Sequence, residues 1–130
     1  METFMLDALR IDPDGTTTRL TLPLQTAEQA RALREQVGGF VEVAKYGRTD
    51  GDGVAIGASF IVHETGARDL PPNPYATRLA AALARRRLPY QLHGPIVLLG
   101  LPNTAGELGS LTGNVRDTAE ALSSALREAA

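Results

Sequence analysis

The chain contains no cysteine. That absence removes disulfides, thiolate zinc sites, iron–sulfur clusters and cysteine nucleophiles together. Lysine is almost missing as well: the basic residues are all arginine except Lys45, a compositional bias that says little about mechanism. Histidine occurs only as His63 and His93. No apolar run approaches the roughly 20 residues that a membrane span needs. The first residues lack the basic start and long apolar segment of a secretory signal. These absences lead to the expectation of a soluble, cytoplasmic protein with no membrane partner. Phosphate-binding loops are missing too, since neither G-x-x-x-x-G-K-[ST] nor a helix-opening G-x-G-x-x-G is present. Gly109-Ser110 lacks the flanking pattern of a nucleophile elbow. No cofactor and no metal site is therefore expected.

What is present describes one domain. At 130 residues, with 43% apolar and 22% charged side chains, the chain can build its own core. Its net charge of −2 hides a split. Residues 1–66 carry six basic and ten acidic side chains, residues 67–93 five arginines and one aspartate, and residues 94–130 two basic and four acidic. The overall sign argues against non-specific nucleic-acid binding, which depends on many phosphate contacts. The middle segment still allows a local anion-binding face.

Taken in order, Thr3 to Ile11 reads as a strand with Phe4, Leu6 and Ala8 on one face. Asp12-Pro13-Asp14-Gly15 is a turn, because proline pre-sets φ and glycine accepts positive φ. Leu20, Leu22 and Leu24 alternate with polar residues as the partner strand, which Pro23 places at an edge. Thr26-Ala27-Glu28-Gln29 has the form of a capping box, and Ala27, Ala30, Leu33 and Val37 follow at helical spacing. Gly38-Gly39 stops that helix. Phe40 to Ala44 reads as a strand, Gly47 to Gly53 as a loop, and Val54 to His63 as an alternating strand. Asn73 sits in N-cap position before Pro74, a strong helix start. That helix carries Tyr75, Leu79, Ala82 and Leu83 on one stripe and ends at Arg85-Arg86-Arg87. Ile96 to Leu99 is apolar at every position, as a central strand should be. Leu101 to Gly113 reads as a long loop or irregular hairpin. A last helix from about Asn114 buries Val115, Ala119, Leu122 and Leu126. The order ββαββαβα predicts an α+β fold, a mainly antiparallel sheet with helices on one face.

Phe60 to Leu79 concentrates the candidate site residues. His63 and Glu64 are a possible general base and acid, with His93 joining them if the two strand starts meet. Neighbouring residues on a strand point to opposite faces, however, so a strand-end pair held for structural reasons explains them more simply. Asn73 can recognise a ligand through its amide or spend that amide on the helix cap. A helix N-terminus after a proline-stiffened loop also suits an anion, and Arg68 and Arg78 would strengthen it. Arg85-Arg86-Arg87 complements a helix C-terminus, with no aromatic-interleaved basic stripe beside it.

Several segments in order resemble the domain-of-unknown-function family 3846, found mostly in phage, plasmid and actinobacterial proteins. They are LREQVGGFVEV (33–43), a strand entering Glu64-Thr65-Gly66, LPPNPYAT (70–77) and HGPIVL (93–98). The turn in that family is usually acidic-acidic-Gly, so Glu64-Thr65-Gly66 departs mildly. The resemblance covers roughly residues 25–113 and implies an accessory protein of a mobile element in a bacterial cytoplasm. It carries no catalytic residues across. The expected function is a non-catalytic binding or interaction protein, host-modulating or counter to host defence, directed at a host protein or a small anionic ligand through Arg68, Asn73 and Arg78. The alternative is a small hydrolase or transferase using His63 and Glu64, with His93, and a weaker one is a nucleic-acid accessory factor. Edge strands in both hairpins leave a homodimer open.

Overall fold

Asp12-Pro13-Asp14-Gly15 turns the chain as its residue types require. The Gly15 N–H donates to the Asp12 carbonyl at 2.9 Å, and Gly15 takes φ of 89°. The computed structural model, which describes residues 5–129, places β1 (Met5–Ile11) and β2 (Thr17–Pro23) on either side of this turn. Phe4, expected to share a face of the first strand with Leu6 and Ala8, lies outside the described residues. Helix α1 (Thr26–Val37) starts one residue earlier in its capping than the capping box suggests. Gln25, not Thr26, is the N-cap, and its side chain accepts from the Glu28 N–H at 2.9 Å. Gly38 closes the helix in the left-handed conformation, with φ of 91°.

Strands β3 (Val41–Thr49) and β4 (Ala55–His63) pair along their whole length. The expected loop from Gly47 shrinks to residues 50–54, because Tyr46 is buried in the core and carries the strand onward. The Asp50 carboxylate closes the turn by accepting from the Asp52 and Val54 N–H groups. A single helical turn, α2 (Gly66–Asp69), precedes the extended Leu70 and leads on to α3 (Pro74–Ala84). Strand β5 (Ile96–Leu99) and helix α4 (Gly113–Ala129) complete the chain.

The fold is α+β: five strands in the order β2-β1-β5-β4-β3, every neighbour antiparallel. The expectation of helices on one face is corrected. Leu33 and Val37 of α1 pack with Leu6, Ala8, Leu22, Ile61, Val97 and Leu99. Ala76, Leu79 and Leu83 of α3, with Val115 and Ala119 of α4, pack on the opposite cluster of Leu9, Ile11, Phe60, Ile96 and Leu98. The physical cause lies in β5, whose four apolar side chains alternate between faces and need cover on both. The buried faces of two helices also shift from their predicted stripes. Ala27, Ala30 and Ala82 are exposed, while Ala76 and Ala80 are buried.

The entries to α3 and β5 run side by side. The Gly94 N–H donates to the Pro71 carbonyl at 2.8 Å, and the Asn73 N–H to the Leu92 carbonyl at 2.7 Å. This clamp joins the Phe60–Leu79 stretch to the second histidine. Among the described residues, no helix is long and apolar enough to cross a membrane.

Candidate functional site

Strand β4 ends at His63 because its ring closes the following turn. The Thr65 N–H donates to His63 Nδ1 at 3.0 Å, and the Thr65 hydroxyl donates to Asp69 Oδ2 at 2.7 Å. That hydroxyl, followed by the Arg68 guanidinium, holds the Asp69 carboxyl below the ordinary carboxylate range. The other ring nitrogen of His63 faces Gly39, where an added Cβ would lie 2.5 Å from Nε2. His93 Nδ1 lies 2.9 Å from the Leu70 carbonyl, so that nitrogen carries its proton and donates. Gly66 sits between the histidines: a Cβ there would be 3.3 Å from His63 Cβ and 3.5 Å from His93 Cβ.

The two histidines therefore flank Gly66, each packed against it. His63 Nδ1 accepts from a backbone N–H, and its Nε2 lies over Gly39 with no hydrogen bond among the described residues. Glu64 is exposed and hydrogen-bonds neither ring; its backbone N–H donates to the Phe40 carbonyl. Among the described residues, no group of three or more His, Asp or Glu is placed to hold a metal ion. On the same strand, the buried Ser59 hydroxyl has no hydrogen-bond partner among the described residues. Four residues of strand separate it from His63, roughly 13 Å, too far for a nucleophile and its base.

Asn73 is placed in the core, which corrects its assignment as a ligand contact. It is fully buried. Its Oδ1 accepts from the Ala76 N–H at 3.0 Å, and its Nδ2 donates to the Ile11 carbonyl at 3.0 Å and the Gly94 carbonyl at 2.9 Å. The Asn73 carbonyl in turn accepts from the Thr77 hydroxyl at 2.7 Å, which itself accepts from the Leu92 N–H. Every side-chain polar atom is used. The residue joins β1, α3 and the approach to β5, and nothing remains to offer a ligand.

The arginines part company. Arg68 is exposed on α2 and pairs with its neighbour Asp69 at 3.3 Å. Arg78 is exposed on α3, with no ion-pair partner among the described residues. It lines a depression of about 340 Å³ together with Pro74, Tyr75, Thr77, Gln91 and Leu126. Helix α3 supplies Arg78 and Tyr75 one turn apart, on one face, beside the helix N-terminus. The first turn carries no acidic side chain to compete for a positive field. Tyr75 and Leu126 give the hollow apolar surface, while Arg78 and Gln91 give it donors.

Gln91 and Leu126 were not foreseen as site residues. Gln91 stands alone in an aperiodic stretch and Leu126 reads as an ordinary core position, so only tertiary packing brings them to Arg78. No protein-family model, curated protein or solved structure matches this chain.

Proposed function

We propose that the protein is a non-catalytic binding module that takes a small anionic ligand in the depression beside Arg78. One observation carries the reading: a guanidinium with no ion pair among the described residues lines a hollow of about 340 Å³ that also offers an aromatic ring and a side-chain amide. That volume is in the range of small-molecule sites. A planar guanidinium suits a carboxylate or phosphate through paired hydrogen bonds. Compared with the sequence-based expectation, Arg78 is kept while Asn73 and Arg68 drop out. The setting in a phage or other mobile element, acting on a host, rests on the resemblance to family 3846 alone.

The reading of His63, Glu64 and His93 as a hydrolase or transferase site has less support, because His63 Nδ1 is taken by the Thr65 N–H, His93 Nδ1 by the Leu70 carbonyl, and Glu64 hydrogen-bonds neither ring. The test is calorimetric titration of the protein and of Arg78→Glu with inorganic phosphate, a dicarboxylate and a nucleoside monophosphate. The expected result is saturable binding of one class by the wild type and at least tenfold weaker binding by the variant, with thermal midpoints unchanged. Equal affinities for both proteins would remove the site.

A further inference from the structure

The carboxyl end of α3 gathers more positive charge than the helix needs. Arg48 reaches across from β3 and donates through Nη1 to the Leu83 carbonyl at 2.9 Å, so one guanidinium already serves the helix terminus. Arg85, Arg86 and Arg87 follow at once, all exposed and without an ion pair among the described residues. A helix terminus presents only about half an elementary charge. Four arginines exceed that demand and repel one another.

The backbone adds a second observation. Arg85 takes φ of 51° and is the only non-glycine residue with positive φ among those described. Its N–H closes the helix onto the Ala81 and Ala82 carbonyls. Glycine fills this left-handed position without strain, whereas a side chain bearing Cβ is disfavoured there. An arginine therefore stands where glycine would sit without strain.

An aromatic side chain flanks the cluster. Tyr90 is 48% exposed, and its hydroxyl lies 2.7 Å from that of Tyr46, which fixes the ring against the core. Burial first, then the Tyr90 hydroxyl, pushes Tyr46 ionisation above the ordinary tyrosine range. The Arg86 charge pulls the other way.

We propose that Arg48, Arg85, Arg86 and Arg87, flanked by Tyr90, form a second binding surface for an acidic polypeptide segment of a partner protein. It is separate from the Arg78 depression by roughly 10 Å along the helix axis. Charge complementarity selects the occupant. A short run of carboxylates matches the three exposed arginines, each able to take a carboxylate in a bidentate pair, with Arg48 adding positive charge beside the helix terminus. A nucleic acid, with phosphates continuing past the cluster, meets a chain of net charge −2 whose residues 1–66 are predominantly acidic. One exposed tyrosine is also a poor stacking platform for successive bases.

The test uses fluorescence anisotropy with a labelled hexaglutamate peptide and a labelled eight-residue oligothymidylate, in low salt and again in added salt. The wild type should bind the peptide more tightly than the oligonucleotide, with binding that weakens as salt rises. The double variant Arg86→Glu/Arg87→Glu should bind the peptide at least tenfold more weakly. Arg85→Gly guards against a folding artefact: it should raise the thermal midpoint by relieving the left-handed strain, yet weaken peptide binding. Peptide binding unchanged in both variants, or an oligonucleotide preferred over the peptide, overturns the proposal.

Discussion

The Asn73 side-chain amide donates to the carbonyl of Ile11, a residue 62 positions earlier, at 3.0 Å. The same nitrogen donates to the Gly94 carbonyl, and the amide oxygen caps α3. One fully buried side chain thereby fixes where β1 ends, where α3 begins and how β5 is approached. Removing it strips a cap and leaves two carbonyls in a dry interior without these donors. Asn73→Ala is expected to cost about 2–4 kcal/mol, read from urea unfolding monitored by circular dichroism. Aspartate keeps the cap acceptor but sets a carboxylate against two carbonyl oxygens. Asn73→Asp should therefore lose more stability at neutral pH than at acid pH, where its carboxyl protonates and donates.

Much of this was legible in the sequence, and the rest was not for identifiable reasons. Asn73-Pro74 announces a helix start through local chemistry alone, and the structure has it there. Gly38 ends α1 for the same kind of reason. The partners of Asn73 at Ile11 and Gly94 are tertiary, and no spacing rule reaches across 62 residues. The alanines misled the assignment of helix faces, since Ala27, Ala30 and Ala82 match an apolar period yet gain little from burial. The two-sided cover of the sheet was written in Ile96-Val97-Leu98-Leu99, apolar at both parities, although the expected architecture put all helices on one side.

Ser59 tests the opposite case, a polar group with nothing to hold. Its hydroxyl is fully buried and lacks a hydrogen-bond partner among the described residues. Burying an unsatisfied hydroxyl is unfavourable, so its removal relieves a cost while leaving the strand intact. Ser59→Ala should leave stability unchanged or raise it by up to about 1 kcal/mol, measured by thermal and urea unfolding. A clear loss would show that the hydroxyl has a partner, such as a buried water.

The acid limb of stability has a partner pair to test. Arg19 on β2 grips Glu120 on α4 with two hydrogen bonds, at 2.8 and 2.9 Å. Those bonds hold the Glu120 carboxyl below its ordinary value of 4.5. A carboxyl whose pKa falls on folding contributes stability above the unfolded value, and that contribution fades as pH drops through the folded one. The pair is solvent-exposed, so the effect is small and screened by salt. Glu120→Gln should be less stable than wild type at pH 7, and the gap should close as pH falls well below 4.5. A gap that persists at low pH would assign the loss to packing instead.

The central claim is that this protein binds an anion beside Arg78 and not at its histidines. Two-dimensional ¹H–¹⁵N spectra recorded during titration with the tightest-binding anion of the calorimetric series test it most directly. Saturable shifts should cluster at Tyr75, Thr77, Arg78 and Gln91, and vanish in Arg78→Glu. Shifts centred on His63, Glu64 and His93, or none that saturate, would contradict it.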